Sequence, residues 1–516
     1  MRVRVAAALV LLLLCVPSFA AVTGTVMTTD GTAVAGAKLT LLPFETTEAR
    51  AKRLLAGAPG PEALASTTSD AKGNFTLEMT TAAVADLRIE ATGTEPQTTR
   101  VERDEELGPI ALRKAAPKEG RVTANGKPVA NARVIWWGNA GHILSQTTTD
   151  GEGRYVSPDP RNATAVTVLH PDFAVSEELF WRRGENTAKE MDRTLMPGKA
   201  IAGRVVAADG ETAVAKATIV VDGWPLATSA EDGSFTVAHA PAKWKLLVAL
   251  SDGSLAMRRF TADVPLTLRL GKAPVLRGTV RDAKTQQPLA NVEVRVSVQE
   301  SNVSWAKLTD AKGNYSRADL PPGSYRLSFL HPAYTAELTE VGLAAGAATK
   351  DARLTPQARV SGTVVDEEKR AVAGASLAPE EATGDRMPRM FRPAGMTFSG
   401  PDGRFLMRVA GDQEIKIRAN KKGLPETKSE TMRLAPAERK RGVTIVIPSG
   451  IAVSGRVTDR EGNPLSGVAV AAAESENANG PMRRMIILNT SSDDDQTVRT
   501  GTDGTFTTRL REGTYD

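Results

Sequence analysis

Four histidines, one cysteine, two adjacent tryptophans and two Met-x-x-Met pairs are the residues of this 516-residue chain that could do chemistry. His142, His170, His239 and His331 lie far apart, and none belongs to an H-E-x-x-H pair that would set two zinc ligands on one helix face. There is no G-x-S-x-G elbow for a serine nucleophile, and the Gly-Lys pairs lack the upstream glycine of a phosphate loop. The acidic run "SSDDDQ" (491–496) lacks the spaced oxygens and turn glycine of a calcium loop, so it reads as a solvated loop. Met387/Met390 and Met482/Met485 offer soft thioethers suited to Cu(I), but the arginines between them oppose a bound cation. Those segments read as plain surface decoration or as flexible contact loops for a partner instead. Trp136 and Trp137 are neighbours on a strand, so one faces inward and the other outward. An outward indole can receive a sugar ring on its apolar face, unless a loop or neighbouring unit covers it. The residues therefore predict no catalytic group, no metal and no cofactor, with Trp136 and Trp137 as candidate ligand-binding residues.

The start of the chain predicts an address. Arg2 and Arg4 precede an apolar run, Val5–Val16, and Ser18-Phe19-Ala20 supplies a small-x-small site for cleavage after Ala20. Twelve apolar residues fall short of the roughly 20 that span a bilayer, so this is an export signal and no transmembrane segment is expected in the mature chain. A lipid anchor on Cys15 would need a small residue where Leu14 stands. Cleavage removes Cys15, the only cysteine, so the mature protein has no disulfide and its cores must hold by burial alone. Without the signal, 63 basic residues face 60 acidic ones, a near balance that argues against nucleic acid as a partner. The densest basic run, "ERKRG" (438–442), reads as a solvated linker.

What positions these residues is a repeat. "DAKGNF" (70–75) returns as "DAKGNY" (310–315), and looser forms occur as "DGEGRY", "EDGSF", "PDGRF" and "TDGTF". An Asp that can accept backbone hydrogen bonds opens the turn, and a Gly suited to positive φ closes it. An aromatic two residues after that Gly returns to the core. The anchors are Gly73 and Phe75, Gly153 and Tyr155, Gly233 and Phe235, Gly313 and Tyr315, Gly403 and Phe405, and Gly504 and Phe506. Each hairpin follows a G-x-V strand, with glycines at 24, 120, 203, 278, 362 and 455. Between the two lie a Gly/Asp/Pro turn and an alternating strand such as "VEVRVSV" (292–298). Units this long can each bury a core. They divide the chain into a signal (1–20) and six β-sandwiches: 21–116, 117–199, 200–273, 274–357, 358–450 and an incomplete 451–516. The insert at 46–66 predicts a helical turn or two.

The succession G-x-V, G-x-P-L-x-x-V-x-V, T-D-x-x-G-x-Y and L-P-P-G-x-Y-x-L resembles the carboxypeptidase regulatory-like domain. It is closest in units four and six and present in outline in the others. The resemblance implies an all-β tandem array of antiparallel, seven-stranded sandwiches of the prealbumin type. It also prompts a search for the zinc set of metallocarboxypeptidases, His-x-x-Glu with a later His, which none of the four histidines matches. The hydroxyisourate hydrolase built on the same fold ends in Tyr-Arg-Gly-Ser, from which "SYRLS" (324–328) departs. His170 and His331 share a His-Pro-x-aromatic slot, which implies a structural role at a strand end.

The expected protein is an exported, non-enzymatic stalk, adhesion or binding segment of the cell envelope. Its expected partners are polysaccharide or another envelope protein. Short linkers predict a semi-rigid rod on the order of 200 Å long. Because "LREGTYD" (510–516) ends where a next strand would begin, the chain reads as part of a longer protein, with a peptidase or transport barrel past Asp516 as the alternative seat of function.

Overall fold

Alternating side chains build the strands. In Asn74–Glu78, Phe75 and Leu77 are buried while Asn74, Thr76 and Glu78 are exposed, the period-two pattern of a sheet with one face in a core. The computed structural model describes residues 21–138, 142–157, 163–179, 191–251, 254–259, 266–272, 275–298, 304–318, 320, 322–344, 347–381, 396–470 and 498–510. The expected signal with its cleavage residue Ala20, both Met-x-x-Met pairs and the acidic run lie outside the described residues.

Sandwich 1 sets the plan. Asn74–Glu78, Ala21–Thr28 and Glu106–Leu112 form a three-stranded sheet. Ala65–Thr68, Lys38–Leu42, Val84–Glu90 and Gln97–Glu102 form a four-stranded one, and Val22, Leu39, Leu87 and Ile89 are buried between the two. The same order recurs in sandwiches 2 to 5 with an extra strand or bridge at some edges, and each has its own buried cluster. Of sandwich 6, the described strands are two pairs, Ile451–Arg456 with Thr505–Leu510 and Ala469–Val470 with Val498–Arg499.

One ladder departs from an all-antiparallel plan. In sandwich 1 the first strand is antiparallel to the hairpin strand and parallel to the last. Three chain reversals separate it from the hairpin strand and six from the last, so the directions follow from the count. The same parallel pairing joins Lys199–Val206 to Leu266–Arg269 and Ala358–Val365 to Arg439–Val446. The last of these corrects the reading of "ERKRG": Arg439–Arg441 open a sheet strand, and all three residues are exposed.

The insert of sandwich 1 folds as helix α1, Thr47–Leu55. The Thr46 hydroxyl accepts the Ala49 N–H at its start, Glu48 lies in the first turn and Lys52 and Arg53 in the last, as the helix dipole favours. Leu54 and Leu55 lie in a cluster with Ile135, Trp137 and Leu169 of sandwich 2 and Trp224 of sandwich 3. The units do not string out as a rod. Sandwich 1 is a hub: Arg133 of sandwich 2 donates to the Leu54 carbonyl, Arg317 of sandwich 4 pairs with Glu48, and Lys421 of sandwich 5 donates to the Asp30 carbonyl. Linker length limits how far neighbours bend but leaves non-neighbours free to dock, and here docking across the array prevails.

Candidate functional site

The repeated motifs meet at one place in each unit. The glycine of G-x-V stands directly across the ladder from the hairpin aromatic in all six: Gly24 and Phe75, Gly120 and Tyr155, Gly203 and Phe235, Gly278 and Tyr315, Gly362 and Phe405, Gly455 and Phe506. At Gly24, Gly120, Gly203, Gly278 and Gly455 the ring lies against the space a side chain would fill. A Cβ on Gly120 would come within 2.7 Å of the Tyr155 ring, and one on Gly278 within 2.0 Å of the Lys350 carbonyl oxygen. Glycine here admits both an aromatic and the last strand. The Tyr155 and Tyr315 hydroxyls donate to the Met191 and Lys350 carbonyls, each at 2.5 Å, tying the hairpin to the last strand.

The closing glycines of the hairpins, Gly73, Gly153, Gly233, Gly313, Gly403 and Gly504, have φ between 72° and 79°. The opening Asp works as expected in units one, two and four, where one Asp70 oxygen accepts the Lys72 and Asn74 amides at 2.8 Å. In units three, five and six the turn opens on Ala230, Gly400 and Gly501, and Asp232, Asp402 and Asp503 accept from the amide two residues on.

Sequence reading passed over a third shared element. The residue before each turn is Ser69, Thr149, Ser229, Thr309, Ser399 or Thr500. Each hydroxyl is buried, accepts an amide at 2.9–3.0 Å and donates to a carbonyl at 2.6–2.7 Å. For Thr309 the amide is that of Val292 and the carbonyl that of Leu289, so one oxygen fastens the Pro-Leu turn to the hairpin. The signal was in plain view: a hydroxyl residue precedes all six turns.

The aromatic candidates are engaged elsewhere. Trp136 is 1% exposed in the core of sandwich 2, with the Arg193 guanidinium 5.6 Å above its ring. Trp137 faces out of its sandwich but is half-buried among Leu54, Ile135 and Leu169, and its indole N–H donates to Thr167 at 2.8 Å. Trp136 is sealed by the core of its own sandwich, and the neighbouring unit's helix covers part of Trp137. His170 and His331 share one geometry: Nδ1 lies 3.2 or 3.4 Å from the amide two residues on, and the ring packs on Phe173 or Tyr334. Among the described residues, no group of three His, Cys, Asp or Glu could hold a metal ion.

Two charged seams join the sandwiches. In the first, Arg100 of sandwich 1 grips Asp86 with two nitrogens at 2.9 and 3.2 Å and reaches Glu293 of sandwich 4, where Arg295 also binds at 2.6 Å. The Phe44 ring lies 5.0 Å from the Arg100 guanidinium, and His142 of sandwich 2 stands 3.9 Å from Asp86. Burial raises the Glu293 pKa, but Arg295 and Arg100 outweigh it and hold the carboxyl below its usual range.

In the second seam, Arg408 of sandwich 5 pairs with Glu105 of sandwich 1 and donates to the Pro332 carbonyl of sandwich 4 at 2.9 Å. His331 Nδ1 lies 3.3 Å from Glu102. That distance suits an ion pair, yet burial, then Arg408 and Arg100, push the imidazole from 6.5 down to about 4. At neutral pH the ring is therefore neutral and the contact is no ion pair. Burial and then Glu105 raise the Glu102 carboxyl.

A family model described as the carboxypeptidase regulatory-like domain matches residues 275–355. No curated protein matches the chain. Among solved structures, the chain is similar to the Streptococcal ancillary pilin, at 16% identity over 47% of this chain and 99% of that one, with a TM-score of 0.22. It is similar to the Bacillus anthracis TIE protein at 10% identity over 80% of this chain and 68% of that one, TM-score 0.19. The minor pilin of Streptococcus agalactiae aligns at 13% identity over 36% and 100%, TM-score 0.23. With its G-x-V strand, its Tyr315 hairpin and its two packed sheets, the segment 275–355 is a carboxypeptidase regulatory-like domain.

Proposed function

We propose that this chain is an exported, non-enzymatic structural or adhesive protein of the cell envelope. One observation carries the reading: the residues common to the units are spent on holding sandwiches together. Glycine faces aromatic, the hydroxyl fastens the turn, and the tyrosine hydroxyls bind the last strand. The regulatory-like domain at 275–355 and the signal-like residues 1–20 support it. The structural element is a clustered one, with sandwich 1 at its centre. Another envelope protein is the partner class we favour, since Trp136 is sealed in its core and Trp137 is partly covered by the neighbouring unit.

Fractionating cells that express the tagged chain, with mass spectrometry of its N-terminus, tests the address. The expected result is an envelope or extracellular protein beginning at Ala21. Recovery from the cytoplasm with Met1 intact would refute it. Cross-linking on intact cells, alongside binding to purified envelope polysaccharides, tests the partner class. Binding to polysaccharide alone, undiminished by Trp137→Ala, would replace the protein partner with a glycan held elsewhere.

A further inference from the structure

The turn His331-Pro332-Ala333-Tyr334 is where three sandwiches meet. On its own unit, the Tyr334 hydroxyl donates to Asp282 at 2.9 Å, and the Gln357 amide at the linker to sandwich 5 donates to the Ala333 carbonyl. From sandwich 1, Glu102 faces the ring, and its amide donates to Glu105 at 2.7 Å. From sandwich 5, Arg408 bridges Glu105 and the Pro332 carbonyl, with Arg359 close enough to act on both arginine and carboxylates. Arg100 of sandwich 1 adds a further positive charge that acts on the ring.

With the ring neutral, Glu102 and Glu105 face the guanidiniums of Arg408 and Arg359. Protonating the ring adds a third cation where Glu105 and the imidazole are nearly sealed from water. Such a charge is relieved only by letting water in, which means parting the sandwiches. The units differ in charge in the same sense: sandwich 1 has 10 Lys and Arg against 13 Asp and Glu, whereas sandwich 5 has 17 against 12.

We infer that the array is a closed cluster latched at His331 and Arg408, and that acid releases the latch so that the folded sandwiches swing out from sandwich 1. The device needs no other molecule: the two states are closed and extended arrangements of the same units. It is independent of the envelope reading above, since it would hold wherever the chain resides.

Small-angle scattering of the full mature chain at pH 7.5 and pH 4.5 tests it, with far-ultraviolet circular dichroism reporting whether the sandwiches stay folded. A compact chain of this length has a radius of gyration of about 23 Å. An array extended to roughly 200 Å would approach 60 Å. The expected result is a radius near the compact value at pH 7.5, at least 1.5-fold larger at pH 4.5, with the native β-sheet signal at both. His331→Gln, which cannot take up the proton, should stay compact at pH 4.5. Arg408→Met, which strands Glu105, should be extended already at pH 7.5. An unchanged radius at pH 4.5, equal opening of His331→Gln, or loss of the native β-sheet signal together with expansion would each overturn the inference.

Discussion

The Thr309 hydroxyl shows how one oxygen decides a fold. It is buried and fully used, so Thr309→Val leaves the Val292 amide and the Leu289 carbonyl without their partner. The expected loss is about 1–3 kcal/mol, read as a lower urea midpoint with Trp305 fluorescence reporting on sandwich 4. Thr309→Ser should lose much less. Gly278→Ala is the harsher change, because its Cβ would lie 2.0 Å from the Lys350 oxygen, a backbone atom that cannot step aside. A cost of at least about 3 kcal/mol is expected, with sandwich 4 failing to give its own unfolding transition. Tyr155 adds a pH signature. Burial raises its phenol to about 12, so the stability gained from the neutral form is present below pH 10 and lost between pH 10 and 12. Tyr155→Phe should flatten that alkaline limb in thermal melts. None of these partners adjoins its group in sequence, so a single chain displays the residue types but hides the contacts.

Helix α1 is the element whose role depends most on its surroundings. Alone, nine residues are too few to hold a helix in water, so its stability comes from Leu54 and Ala51 packing and from Arg133 at its C-terminal carbonyl. Leu54→Ala should cost about 2–4 kcal/mol and speed limited proteolysis at 56–64 well before the sandwiches themselves unfold. Unchanged cleavage would mean that the contact with sandwiches 2 and 3 carries little weight. The segment 46–66 announces a helical turn through Thr46, Glu48 and its basic end. That it would cover Trp137 could not be read there, because the cover and the covered residue lie in different units.

At the scale of the whole molecule, the seams set the response to acid. His331 is depressed from 6.5 to about 4, so its contribution is present above pH 6.5 and is lost as pH falls towards 4, on the order of 3 kcal/mol in all. Glu102 runs the other way: its raised pKa means the closed form gains as pH falls through it. The imidazole's displacement is the larger, so the balance favours loss. Glu293, held below its usual range, contributes above about pH 4.5 and is lost below it, a second and more acidic step. Unfolding measured from pH 7 to 3 should show both steps, and His331→Gln should remove only the first.

The sequence by itself determined the unit and its repetition. Strand alternation, the glycines at 24 to 455 and the hairpin aromatics are local and periodic, and each sandwich closes on residues from within its own stretch. Tertiary structure alone decided how the sandwiches sit together. Arg100 with Glu293 and Arg408 with Glu105 join residues 193 and 303 positions apart, on outer faces whose polar side chains look like any solvated surface. Burying such charges becomes favourable only when both partners and their neighbours arrive together. That condition leaves no periodic trace in the chain, and it turns an expected rod into a cluster around its first unit.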